Sequence, residues 1–360
     1  MEFRRALQPR QRGGVALTNG VHLKSGKKLG AETGNSAAFT TYAQFEEAEQ
    51  RSCVSSCTSS RCRRICLRNS TISICPIPWP RCSMSGCIEK GRDLTHGGAE
   101  FNTGPGMNGN GLADFVDSVT AVKKLVFEEG RVSMADLVAA VKADFEGCEH
   151  IRRMLVDVAP KWGNNNDEAD ANMTKLFDVV IKEIASYRGK LGNPKLPALY
   201  PVSSNVPQGL SVSALPSGRK AGKPLADGCS PSQGMDRLGP TAILQSLGKL
   251  PHDCIDGGTL LNIKLTPAVV AGEEGKRRLS AFLKTFLHLD VFHVQFNVVS
   301  HEVLRCAQRT PEDYKSLLVR VAGYSAYFVE LSREIRGHPE PHGPRTLTSA
   351  RPRPPQGARP

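Results

Sequence analysis

An α/β fold is predicted by three features of the 360-residue chain. Residues 259–265 and 292–299 are apolar, strand-like runs flanking a helix-period segment at 276–287, a strand–helix–strand unit that fits a mixed α/β barrel. Residues 112–128, 133–147 and 169–187 carry apolar side chains at helical spacing. Residues 200–240 are rich in Gly, Pro and Ser yet hold apolar pieces, as ordered loops crossing an interior do. The length allows one to three domains and a large core.

The remaining elements are taken in chain order. Residues 15–48 read as turns leading into a helix capped by Thr40 or Thr41, with the pattern stopping near Gln50. Residues 51–82 show no period and no acidic residue, but six of the eleven cysteines: Cys53, Cys57, Cys62, Cys66, Cys75 and Cys82. That spacing lacks the paired C-x₂-C knuckles and histidines of structural zinc, which argues against a zinc or nucleic-acid module. Residues 102–111 form a glycine-rich loop without the Gly-Lys-Ser/Thr ending of a phosphate cradle. In the first long helix, Val116, Val119, Val122, Val126 and Phe127 mark the buried face and Lys123–Lys124 the outer one. Ser133 caps the second, with Asp136 three residues on. Residues 161–167 read as a polar turn, and 242–250, 301–308 and 311–318 as short helices. The last delivers the chain to an apolar segment, Leu317 to Phe328, that breaks at Gly323; a buried strand or loop turning there is expected. Residues 336–360, with seven Pro and five Arg, read as a disordered or out-of-frame tail.

The net charge of +12 would suit a nucleic-acid or anionic-membrane partner. Its distribution argues against both: residues 1–14, 51–82 and 336–360 carry +3, +6 and +4, leaving the rest of the chain at −1. No apolar run is long enough for a transmembrane helix, and the basic N-terminus lacks the apolar stretch of a secretory signal. The expected location is cytoplasmic.

Val319 to Leu331, VRVAGYSAYFVEL, resembles the radical-bearing loop of the glycyl radical enzymes. Segments in the same family order are Asn205–Pro207, Ser217–Ala221, Pro224–Gly228, Ser230–Gly234, Gly239–Ala242, Gly258–Asn262 and Val294–Val299. The likeness covers residues 83–335 and, less closely, 15–48. It implies the C-terminal part of a glycyl radical enzyme α/β barrel of the pyruvate formate-lyase family, with the glycine loop inserted into the barrel. The implied organisation is a partial pyruvate formate-lyase-type domain over 1–230, a glycine radical domain over 231–335, and the tail; within the first, residues 51–82 are aberrant, matching nothing between two matching flanks, as a shifted reading frame would leave them. Residues 324–331 are more similar to the diol dehydratase and choline trimethylamine-lyase branch than to pyruvate formate-lyase itself. The activity this likeness implies is radical C–O or C–N cleavage of a small polar substrate, without oxygen and without a bound cofactor. An S-adenosylmethionine-dependent radical activating enzyme would form the radical on Gly323; homodimeric assembly is left open.

Glycine suits radical storage because its Cα can flatten and share spin with the flanking amide nitrogen and carbonyl. The family also uses a cysteine as thiyl carrier, in a Gly-Cys-Val-Glu motif. Gly86-Cys87-Ile88-Glu89 invites that reading, but the segment after it matches a later part of the family pattern. The thiyl cysteine would fall upstream of residue 15, where this chain has none, so the chain is expected to be inactive alone. Cys229, Cys254 and Cys306 receive no role. Asp114 and Asp117 read as a solvated face or helix-dipole partners, His293 as a core residue, and Arg219 and Arg320 as structural partners of carboxylates or carbonyls.

Overall fold

The computed structural model describes residues 16–28, 30–55, 83–101, 106–188, 193–200, 203–321 and 323–336. Most of the Cys-rich stretch, the start of the glycine-rich loop and the Pro-rich tail lie outside these residues. The chain divides into two compact units, one of residues 1–109, 175–198 and 253–258, the other of 110–174, 199–252 and 259–360.

The first unit opens with a short hairpin, β1 (Val21–His22) against β2 (Lys27–Lys28). A helix, α1, covers residues 42–55, further than the apolar pattern indicates. Its cap is Thr41, whose Oγ1 accepts from Gln44 N at 3.4 Å, while Gln44 Oε1 accepts from Thr41 N at 3.4 Å. That reciprocal pair is a capping box. Strands β3 (Gly106–Asn108) and β4 (Leu196–Ala198) pair in parallel. Met107 packs there with Ile184 and Tyr187.

The second unit is built on α2 (Leu112–Val122), in which every residue but Phe115 is buried. The helix continues as one wide turn over Lys123–Glu128, with Glu129 N donating to Lys124 O. That widening turns the buried face: Leu125 is enclosed, whereas Val126 and Phe127 are half-buried. Ser133 caps α3 (Met134–Lys142) by accepting from Asp136 N at 3.0 Å. Helices α4 (Glu149–Asp157) and α5 (Asp167–Ser186) come next, α5 counting in this unit only as far as Thr174.

Asp114 and Asp117 are not on a solvated face; they are 4% and 0% exposed. Both terminate backbone N–H groups that helix or sheet cannot serve. Asp114 Oδ2 accepts from Ala226 N at 2.6 Å, and Asp117 Oδ1 from Trp162 N at 2.8 Å. The expected polar turn at 161–167 is correspondingly inside at its start. Trp162 is fully buried, and buried Lys161 donates to Ser217 O at 3.1 Å. A lone helical pattern cannot announce this, because the acceptor's partner lies 45 or more residues away.

Residues 203–239 are interior loops, as expected, with a short helix α6 (Asn205–Ser211). Arg219 ties them through carbonyls, donating from Nη1 to Ser213 O at 3.0 Å, from Nη2 to Gly209 O at 2.9 Å and from Nε to Pro224 O at 3.3 Å. After α7 (Pro240–Leu247) comes the strand–helix–strand unit: β5 (Leu261–Leu265), the turn α8 (Pro267–Val270), α9 (Gly272–His288) and β6 (Val294–Val298). The two strands pair in parallel, which requires such a crossover. Helix α10 (His301–Arg309) is capped by Ser300, and a single 3₁₀ turn at Pro311–Tyr314 replaces the helix expected to reach 318. Antiparallel strands β7 (Leu318–Arg320) and β8 (Ser325–Tyr327) form the final hairpin before α11 (Arg333–Arg336). Among the described residues the sheets are four pairs of strands.

Two measurements test this interior. A methyl group at Gly209 would press on the Lys223 carbonyl and lie 2.7 Å from Pro224 Cα, so Gly209→Ala should lower unfolding stability by about 1–3 kcal/mol in urea titrations. Burial raises the Asp117 carboxyl from 3.8 to about 6, so folding favours its protonated form. Its contribution is therefore full below the unfolded value and withdrawn as pH rises through about 6. Asp117→Asn keeps an acceptor for Trp162 N and should gain about 1 kcal/mol on wild type between roughly pH 5 and 7. Equal slopes of stability against pH for the two proteins would contradict this.

Candidate functional site

The candidate site is the hairpin tip at Gly323 and the strand beneath it. Alternation in β5 (LNIKL) and β6 (VQFNV) sends Leu261, Ile263 and Leu265, with Val294, Phe296 and Val298, to one face. Phe296 packs edge-on against Phe282 of α9, with ring centroids 5.8 Å apart. The register pairs Asn262 with Gln295 and Lys264 with Asn297, so the opposite face is polar.

The hairpin docks on that polar face through side-chain amides. Asn297 Oδ1 accepts from Arg320 N at 2.8 Å, and its Nδ2 donates to Arg320 O at 2.7 Å. Two residues earlier, Gln295 Oε1 accepts from Gly323 N at 2.8 Å, while Nε2 donates to Val321 O at 3.2 Å. Each amide thus imitates a backbone partner in a ladder. Within the tip, Val321 N donates to Tyr324 O at 2.9 Å. Gly323 has φ +79°, a left-handed conformation that other residues adopt only at a cost.

The inner side of the hairpin joins a small core in which Phe328 packs with Leu304 and Ala307, flanked by Val319, Leu317 and Leu331. The outer side does not. Leu318, Tyr324 and Tyr327 are exposed, and so is Gly323, where an added Cβ would meet nothing within 4 Å. The expectation of a shielded loop is corrected: no described residue of this chain covers the tip from outside.

Behind Gln295 the polar contacts continue. Gln295 Nε2 donates to Asn262 Oδ1 at 2.7 Å, and Asn262 Nδ2 donates to Asp227 Oδ2. Asp227 reaches this position because its loop lies against the start of β5. Cys229 N donates to Leu260 O at 3.1 Å, and a side chain at Gly228 would collide with Leu260 O. Trp162 Nε1 holds the loop's other side through Cys229 O at 3.0 Å. Burial pushes the Asp227 carboxyl up to about 6, with the Asn262 bond and the Lys264 charge pulling it back. Burial pushes Lys264 down to about 8, opposed by Asp227, and raises the Cys229 thiol with help from the same carboxylate.

The side chains of the other candidates take no part in docking the tip. His293 is exposed rather than in the core; its backbone carbonyl accepts from Leu261 N at 3.0 Å. Arg320 is exposed, its Nη1 3.4 Å from Ser325 Oγ. Cys87 is buried in a turn where its carbonyl accepts from Arg92 N at 3.1 Å; Cys254 and Cys306 are exposed. Among the described residues no group of His, Cys, Asp and Glu could hold a metal ion, and no helix is long and apolar enough to cross a membrane. Sequence reasoning missed Asp227, Asn262 and Gln295 as a connected set. The signal that could have found them was the matched polar positions of LNIKL and VQFNV.

Comparison with known proteins agrees with this geometry. The family model "Pyruvate formate lyase-like" matches residues 14–209 and "Glycine radical" matches residues 225–329. The chain is 35% identical to trans-4-hydroxy-L-proline dehydratase of Clostridioides difficile over 322 residues, covering 89% of this chain and 41% of that protein. It is 46% identical to an isethionate sulfite-lyase of Nitratidesulfovibrio vulgaris over 228 residues, 63% of this chain and 27% of that one. The solved B12-independent glycerol dehydratase of Clostridium butyricum superposes with a TM-score of 0.84 at 37% identity, over 90% of this chain and 41% of its own. The chain therefore spans about two fifths or less of the length of these relatives. With one family model matching more than half of the chain, and the other enclosing the Gln295-docked hairpin, this chain belongs to the pyruvate formate lyase-like glycyl radical enzyme family.

Proposed function

We propose that this chain is the radical-bearing portion of a glycyl radical lyase or dehydratase, with Gly323 as the residue that stores the radical. The observation that carries this reading is the tip itself: a left-handed glycine with open space at Cα, inside the matched glycine radical segment. An S-adenosylmethionine-dependent radical activating enzyme removes one hydrogen atom from Gly323 Cα. The remaining electron spreads over the flanking amide nitrogen and carbonyl. Exposure of the tip gives such an enzyme access to that hydrogen.

The reaction served is radical elimination, C–O or C–N cleavage in a small polar substrate. Dehydratases acting on hydroxyproline and glycerol among the relatives support the C–O case. Turnover needs a thiyl cysteine to relay the radical to substrate, and no described cysteine of this chain is matched to that role. On this reading the residues described here store the radical, and the thiyl relay is supplied from outside them. The rival reading is an inert product that cannot be activated at all.

Electron paramagnetic resonance after anaerobic activation decides. The expected result is a doublet, split by the one hydrogen left on Gly323 Cα, that is absent from Gly323→Ala. The substitution costs only about 1–2 kcal/mol of backbone strain at an open tip, so the fold survives it. No doublet from wild type, or one that persists in Gly323→Ala, overturns the assignment. Substrate turnover by the chain alone overturns the storage-only reading.

A further inference from the structure

The groups at the two ends of the polar chain behind Gly323 have a fixed hydrogen-bonding sense. Ionised Asp227 only accepts, the Gly323 N–H only donates, and the Val321 carbonyl only accepts. Between them sit two amides, Asn262 and Gln295, either of which could in principle turn over. Asn262 Nδ2 is committed to Asp227 Oδ2, so its Oδ1 faces Gln295 and accepts from Nε2 at 2.7 Å. Gln295 Nε2 is committed twice, to Asn262 Oδ1 and to Val321 O at 3.2 Å, which leaves Oε1 for Gly323 N at 2.8 Å. Turning Gln295 sets oxygen against the oxygens of Asn262 and Val321, and N–H against the Gly323 N–H. Turning Asn262 sets oxygen against the Asp227 carboxylate and N–H against N–H at Gln295. Only one polarity satisfies every contact, and an acceptor-only carboxylate at the far end selects it.

We propose that Asp227, Asn262 and Gln295 form a polarity relay that keeps an amide oxygen, rather than an amide N–H, against the backbone N–H of Gly323. The relay deepens the radical-storage reading and rests on it for its functional meaning. A radical at Cα is stabilised by donation from the adjacent nitrogen, and a hydrogen bond from that N–H to oxygen raises the donating power of the nitrogen. Gln295 is a positioning residue, and Asp227 and Asn262 act through it. Gln295 is 5% exposed and Asn262 9%, so little water competes for these contacts. Asp227, raised only to about 6 and facing Lys264 and the Cys229 thiol, is ionised above neutral pH, as the relay requires.

The test reads the Gly323 amide directly, in the full chain labelled with ¹⁵N-glycine and assigned by loss of one signal in Gly323→Ala. Asn262→Leu touches Gly323 only through the relay. It should move the Gly323 amide proton upfield and speed its hydrogen exchange about tenfold, while glycines remote from the hairpin keep their signals. Gln295→Glu keeps size and an acceptor but sets oxygen against Asn262 Oδ1 and Val321 O; it should raise exchange at Gly323 similarly. Asp227→Asn replaces the acceptor-only group by an amide free to turn, so the selection weakens and exchange at Gly323 should rise, by less than in Gln295→Glu; exchange equal to wild type overturns the part given to Asp227. In activated samples the first two variants should also change the amide-nitrogen coupling of the radical. Unchanged Gly323 shifts and exchange in Gln295→Glu overturn the relay, even where Asn262→Leu fails to fold. A normal amide response with no radical in wild type overturns the storage reading and leaves the relay intact.

Discussion

Two side-chain amides on one strand, Gln295 and Asn297, hold the glycine hairpin where a backbone ladder would otherwise run. A strand edge that approaches a sheet must bond its N–H and C=O groups or leave them to water. Here the neighbouring strand supplies the bonds from its side chains, two residues apart on one face. Because β6 is itself fixed by β5 and by Phe282 beneath Phe296, the hairpin inherits its position from a parallel pair whose first strand is buried.

That arrangement depends in turn on close packing at a few points without side chains. Gly228 lets the loop of residues 226–230 run against Leu260, which brings Asp227 to Asn262; Gly209 lets the Lys223–Pro224 backbone pass α6. Trp162 and Asp117 then anchor the same loop to α2. The carboxylates in the middle of this unit are acceptors for distant backbone N–H groups. Replacing a solvated acid by an enclosed one is unfavourable by itself, and what offsets it here is the termination of amides that neither helix nor sheet serves.

Much of the fold was legible from periodicity. The parallel pair around α9, the Ser133 cap and the inward course of residues 203–239 all arise from local pattern and turn chemistry. The failures share a physical origin. Asp114, Asp117 and Lys161 carry charges that a helical or turn pattern assigns to solvent, and only partners far along the chain reveal their burial. The wide turn at Lys123–Glu128 shifts the buried face by a residue, which a 3.6-residue period cannot register. At the site, the segment Val319–Phe328 reads as apolar and hence enclosed. In this chain it is covered on one side only, while the relatives it matches are more than twice as long. The polar face that carries the hairpin was written in two five-residue strands, yet it becomes visible only once their register is known.

The docking contacts at the tip reach main-chain atoms of Arg320, Val321 and Gly323 and no side chain of those residues. The tip is therefore a module defined by its platform. Its exposed side chains, Arg320 and Tyr324, are open to exchange, to carry a spectroscopic label or a recognition contact, while the glycine keeps its place over β6.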